Sequence, residues 1–179
     1  MPAMRNRAEK PSAHIEVISA GPEQESILAN LLELYAHDFS EFQDLKLGSD
    51  GRFGYRGLPL YWSDPERYPF LSRTNGELAG LVLLKKGSEV SGNHNVWDMA
   101  EFFVLRGYRR RGIGTQIALE VWRRFPGLWE VRILHSNIAA REFWAHAISI
   151  FTGEVPHPVQ FEKEGTCWTL FSFESKRIP

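Results

Sequence analysis

Apolar positions recur along the chain with two spacings, which divide it into strands and helices. HIEVISA (His14–Ala20) alternates apolar and polar residues, as a half-buried strand does. Gly21-Pro22 breaks the alternation. Beyond it, Ile27, Leu28, Leu31, Leu32 and Tyr35 fall on one face of a helix reaching about Phe39, with Glu23 and Glu25 in its first turn. YPFLSRT and ELAGLVLLKKG read as strands joined by Asn75-Gly76, a strong hairpin signal. VWDMAEFFVL (Val96–Leu105) reads as a long strand. After Gly112, residues Ile113, Ile117, Ala118, Val121, Trp122 and Phe125 mark one helix face, closed by Phe125-Pro126-Gly127. WEVRILHS is a strand, NIAAREFWAHAI a short helix, and ISIFTGEV and GTCWTLFSFES two closing strands.

This order predicts a mixed α/β fold. A central mixed sheet of about six to seven strands is flanked by helices, with one parallel crossover from Val96–Leu105 to Trp129–Ser136. The 179 residues suit one domain over about 13–175, behind a polar tail (1–12) expected to be disordered. From 39 to 69 the periodicity is lost among glycines, prolines and aromatics such as Phe42, Phe53, Tyr55, Tyr61 and Trp62. A segment of this kind is either a functional lid or an insertion that packs on itself, and the pattern leaves both open.

Composition narrows the function. The net charge is −1, which speaks against a dedicated nucleic-acid binder. The longest apolar run, LAGLVLL, is too short to span a bilayer, so no membrane role is expected. The single cysteine, Cys167, excludes an internal disulfide and fits a reducing, cytoplasmic setting. It sits in an aromatic strand, where a buried core thiol is expected. The six histidines show no ligand spacing, and no metal is expected.

RGYRRRGIGTQIALEVW (Arg106–Trp122) gathers arginines and two glycines between a strand and a helix. A helix N-terminus leaves backbone N–H groups free and carries partial positive charge, and glycines let a pyrophosphate approach the main chain. The loop lacks the Lys of a Walker A motif and the third glycine of a dinucleotide fingerprint. A nucleic-acid patch at Arg106–Arg111 is the competing reading.

FFVLRGYRRRGIGTQI resembles the coenzyme A loop of the GNAT superfamily of N-acetyltransferases, whose signature of Arg or Gln, two residues, Gly, one residue, then Gly or Ala is filled by Arg109, Gly112 and Gly114. The clear match runs from about Val96 to Ile148. The resemblance implies acetyl-CoA as cofactor. Main-chain groups of Phe102, Phe103 and Val104 would pair with the pantetheine arm. N–H groups of Arg110, Arg111, Gly112, Ile113, Gly114 and Thr115 would hold the pyrophosphate. In its N-x-x-A-x-x-F-Y pattern, Asn137, Ala140 and Phe143 match and would contact the cofactor, but Trp144 replaces the Tyr that commonly serves as general acid. Independently of the family, Asn137 suits a helix N-cap.

Acyl transfer to an amine also needs a base. Strict alternation on Val96–Leu105 puts Trp97, Met99, Glu101, Phe103 and Leu105 on one face and Asp98 on the other, with Glu101 an acid among apolar neighbours. Burial there raises its pKa, and the family often places its base near this position, so Glu101 is the catalytic candidate. By the resemblance, the acceptor pocket forms near Tyr35, His37 and Asp38 and from a loop between the last strands, roughly Pro156–Gly165. The resulting expectation is an acetyl-CoA-dependent N-acetyltransferase for a primary amine on a small molecule or peptide, with a homodimer as a family-level expectation. The alternative is a catalytically weak or inactive acetyl-CoA-binding sensor or partner module.

Overall fold

The computed structural model describes residues 13–176. The expected tail over 1–12 lies outside the described residues. Strand β1 (Ile15–Ser19) leads through a single turn of 3-10 helix into α1 (Glu25–Phe39). A short α2 (Leu60–Ser63) lies in the irregular segment. Then come β2 (Arg67–Thr74), β3 (Glu77–Lys86), β4 (Trp97–Val104), α3 (Ile113–Arg124), β5 (Gly127–Leu134), α4 (Ile138–Thr152), β6 (Val159–Lys163) and β7 (Thr166–Ser175). The seven strands form one sheet in the order β1-β2-β3-β4-β5-β7-β6. All neighbours are antiparallel except β4 and β5, the expected crossover.

The sheet carries a core on each face. On one, α3 and α4 cover Val82, Leu84, Trp97, Met99, Trp129 and Val131, with Trp122 of α3 at 0% exposure. On the other, α1 and the irregular segment cover Leu71, Leu81, Leu83 and Phe103. The amphipathic stripes of α1 and α3 supply the helical side of each, as their spacing predicts. The Asn75-Gly76 turn takes left-handed φ at both residues, 52° and 81°, as a two-residue hairpin requires.

Three expectations need correction. ISIFTGEV is not a strand: α4 continues to Thr152 and stops at Gly153, which takes φ 77°. Its residues Trp144, Ala147, Ile148 and Phe151 pack into the core at helical spacing. Half of the span Pro156–Gly165 is strand, since β6 pairs with β7 through a Glu164-Gly165 turn. Cys167 is exposed: it shares a face with Phe171 and Phe173 but lies at the start of β7, beyond the part of that face packed into the core.

Candidate active site

Strands β4 and β5 are paired only at Trp97–Trp129 and Asp98–Glu130. Beyond those pairs they diverge, and a cavity of about 410 Å³ opens between them. Its walls come from Met99–Phe102 of β4, Val131–Leu134 of β5, and Asn137, Ala140 and Trp144 of α4. Tyr35 and Phe39 of α1 close another side, with Phe53 and Tyr55 of the irregular segment.

A bulge decides which side of β4 faces this space. Leu83 pairs with Glu101 and the adjacent Leu84 with Met99, leaving Ala100 as the extra residue. Adjacent residues on β3 face opposite ways, so Glu101 and Met99 do too. Trp97 and Met99 therefore join the core under α3 and α4, while Phe103 joins the α1 side. This corrects the strict alternation: Glu101 does not share a face with Trp97 and Met99. Asp98 lies on the Glu101 side, 3.5 Å from Lys85 Nζ and 3.6 Å from Arg132 Nη2.

Glu101 is half-buried at the cavity wall. The Tyr55 hydroxyl donates to its Oε1 at 2.9 Å. Burial pushes the Glu101 carboxyl up, while the Tyr35 and Tyr55 hydroxyls pull it down; burial wins. Burial and the Glu101 charge push the Tyr35 and Tyr55 phenols well above the ordinary tyrosine range. Tyr55 reaches this position because Glu33 of α1 accepts the backbone N–H groups of Phe53 (2.7 Å) and Gly54 (3.0 Å). The irregular segment is thus fastened to α1 and presents Tyr55 to the carboxylate.

At the far end of β4, a 3-10 turn (Arg106–Tyr108) precedes a tight loop with Arg110 and Gly112 in left-handed conformation, at φ 57° and 76°. Among the described residues, the backbone N–H groups of Arg110 to Thr115 have no hydrogen-bond partner. Gly114 has a different reason to be glycine: a Cβ there would meet Phe143 at 3.2 Å and Val104 Cγ2 at 3.6 Å. Arg109 does not reach outward. Its Nε donates to the Val104 carbonyl at 2.6 Å, and its Nη2 lies 2.5 Å from Asp38. Arg106 binds the same carboxylate. Partial burial works against the Asp38 charge, but hydrogen bonds from Arg106 and Arg109 hold its carboxyl below the usual range.

Of the residues singled out from the sequence, Tyr35, Glu101, Phe102, Asn137 and Ala140 line the cavity. Val104 and Phe143 both lie against Gly114, and Phe143 stacks on Phe102 at 5.6 Å. His37 and Asp38 are not among the lining residues; His37 points to solvent. The Asn137 side chain accepts from Ala140 N at 3.0 Å and caps α4. Trp144 is buried against Phe102, Phe143 and Trp122. Sequence reasoning missed Tyr55 as a partner of Glu101, and missed Arg132 and Trp168 as cavity residues. Nothing local marks them.

A mixed sheet splayed at its one parallel pair, with free N–H groups at one end and a half-buried carboxylate in the gap, is a frame for acyl transfer. A model of the acetyltransferase (GNAT) family matches residues 28–147, and the chain belongs to that family. Acetyl-CoA is the acetyl donor used by that family. An acetyltransferase from Thermus thermophilus superposes with a TM-score of 0.65 at 17% identity, over 89% of this chain and 96% of the other. A Salmonella typhimurium protein solved with acetyl-CoA gives 0.62 at 13% identity, over 90% and 94%. A mutant of the spermidine N-acetyltransferase from Vibrio cholerae gives 0.57 at 10% identity, over 90% and 94%. At these identities the likeness is one of fold. No curated protein matches the chain in sequence. Among the described residues there is no cluster suited to a metal ion and no helix long and apolar enough to cross a membrane.

Proposed function

We infer that the protein is an N-acetyltransferase that moves the acetyl group of acetyl-CoA to a primary amine, with Glu101 as the base. The observation that carries this reading is Glu101 itself: a carboxylate with a raised pKa, turned by a bulge into the gap between two splayed strands. Acetyl-CoA supplies an acyl group activated as a thioester, whose carbon bonds to a neutral amine as the C–S bond breaks and its electrons leave on sulfur.

The chain fits this cofactor. Six consecutive unpaired N–H groups from Arg110 to Thr115 suit a pyrophosphate, helped by the partial positive charge at the start of α3. No strand pairs with the inner edge of β4 at Phe102–Val104, which offers main-chain groups other than the Arg109-bound Val104 carbonyl to an extended arm, with Asn137, Ala140 and Phe143 toward the cavity. Arg109 acts through the loop, holding it to Val104 and Asp38. Glu101 accepts the amine proton, and its raised pKa brings its basicity nearer to neutral pH. The amine acceptors of structural neighbours such as the spermidine enzyme support an amine acceptor here. Asp38, bound by two arginines, serves the loop rather than the acceptor.

One observation favours a second reading, a binding module without turnover. Trp144 stands buried where a phenol would serve as acid, and an indole N–H is not an acid at neutral pH. A thermal-shift and thiol-release experiment separates the two. Acetyl-CoA at about 100 times its Kd adds about 2.7 kcal/mol, or roughly 5–10 °C. An enzyme releases coenzyme A thiol with an amine present, and E101Q keeps the shift while losing the release. A shift with no release from any amine favours the module; no shift defeats both.

A further inference from the structure

Charges around the cavity bear on the acceptor, provided the site is the N-acetyltransferase inferred above. Glu101 is the one acid among the residues lining it, and Lys46 and Arg132 are the two cations. Lys46 lies at the exposed rim and pairs with Asp44 at 2.5 Å. Arg132 is the cation within.

Arg132 stands across the splay from the base. Asp98–Glu130 is the last pair of the parallel ladder. Two residues further on, Arg132 comes level with Ala100, and the bulge turns Glu101 onto the Arg132 face. The guanidinium lies 5.8 Å from the Trp168 ring centre. Its two acids sit at long range, Glu89 at 3.5 Å and Asp98 at 3.6 Å, against about 2.8 Å for a tight charge-assisted bond. Both acids are shared. Lys85 also binds Glu89 and Asp98, and Lys163 lies 3.8 Å from Glu89. Lys85, Arg132 and Lys163 thus share Glu89 and Asp98, and with both of its own contacts long, the Arg132 guanidinium has donors to offer a carboxylate in the cavity. The remaining wall is aromatic, from Phe39, Phe53 and Trp168.

We propose that the acceptor is a free α-amino acid with an apolar or aromatic side chain, its carboxylate on Arg132, its side chain on the aromatic wall and its amine toward Glu101. One carbon carries both the amine and the carboxylate of such a molecule, which suits a base and a guanidinium that line one cavity from the two splayed strands. A polyamine has no anionic group and would meet Arg132 with a cation. A peptide N-terminus offers an amide where the carboxylate belongs.

The test uses L-phenylalanine, L-leucine, phenethylamine, L-phenylalaninamide and spermidine. Each is titrated calorimetrically into the coenzyme A complex and assayed for thiol release with acetyl-CoA. L-phenylalanine is expected to exceed phenethylamine and the amide in both affinity and kcat/KM by about tenfold or more, the usual scale of a charge-assisted pair. In R132Q that ratio collapses toward one, and R132K, which keeps a charge beside Asp98, retains part of it. Taking the ratio within each variant removes any general loss of fold. Preference for spermidine, phenethylamine or the amide overturns the proposal, as does an unchanged ratio in R132Q. So does a coenzyme A complex that binds neither amino acid. Acetylation of other amines would leave the N-acetyltransferase reading standing, whereas absence of any response to acetyl-CoA or coenzyme A defeats that reading first.

Discussion

Gly80 is the position where a single methyl group should do the most damage. It sits on β3 opposite Val104 of β4, at the strand that forms one lip of the cavity. A Cβ built there lies 2.0 Å from the Phe103 carbonyl oxygen and 3.1 Å from Val104 Cα. Ordinary contact begins at 3.4 Å, so G80A must part the strands by about 1.4 Å, and the obstacle is backbone rather than a mobile side chain. Its strand neighbours Ala79, Leu81 and Val82 are all at 0% exposure, so β3 has nowhere to retreat. Overpacking of this kind costs about 1–3 kcal/mol, and at about 2–4 °C per kcal/mol for a chain this size Tm falls by roughly 2–12 °C. Acetyl-CoA should also give a smaller shift, because the displaced segment is the one assigned to the cofactor arm. G107A is the control. Gly107 has no neighbour within 4 Å of a built Cβ and no left-handed φ, so alanine there leaves Tm unchanged or raises it by limiting the unfolded chain. Both proteins are followed by thermal unfolding with and without acetyl-CoA. G80A melting at the wild-type temperature would refute the reasoning.

Other perturbations test the charges. Y55F removes a hydroxyl that holds the Glu101 carboxyl down against burial, so the acid limb of the pH–rate profile should move to higher pH; a limb that stays put removes Tyr55 from the site. E101Q should be more stable than wild type at pH 7–8 and equal to it near pH 4. A raised folded pKa means that stability is complete below the unfolded value of about 4.3 and is lost as pH rises through the folded one. D38N should lower Tm and weaken acetyl-CoA binding with the acceptor KM unmoved, since its partners are the loop arginines. The Asp38 carboxyl is held low, so its contribution is present above the unfolded pKa of about 3.9 and fades as pH falls through the folded value; the gap in Tm between wild type and D38N should close in acid.

What the sequence made legible was local. The stripes on α1 and α3, the Asn75-Gly76 hairpin and the turn before α3 each rest on residues a few positions apart, and each is found where it was read. Where reading failed, a distant partner had decided the outcome. ISIF looks like strand by residue type, yet Trp122 and the sheet offer Ile148 and Phe151 a buried face that only a helix continued from Trp144 can reach. VQFEK is short and none of its residues is buried, so Val159 and Phe161 alone make a weak strand signal at an exposed edge. The neighbours of Cys167 suggest an interior position, yet its place at the start of β7 leaves it beyond the packed part of the sheet face.

The bulge at Ala100 matters most, because it joins fold to chemistry. Without the extra residue, Glu101 would follow Met99 onto the face under α3 and α4, into a core dominated by tryptophans and aliphatic side chains. A carboxylate there would meet neither Tyr55 nor the face that carries Arg132. Nothing in WDMAEFFV signals the bulge, since it exists only in the pairing with Leu83 and Leu84 of β3. One irregular residue thus converts a buried acid that the core could not tolerate into one that faces a cavity, with a tyrosine to tune it and an arginine across the gap. Removing the irregularity should therefore cost stability and activity together, a coupling that neither residue type nor spacing along β4 could reveal.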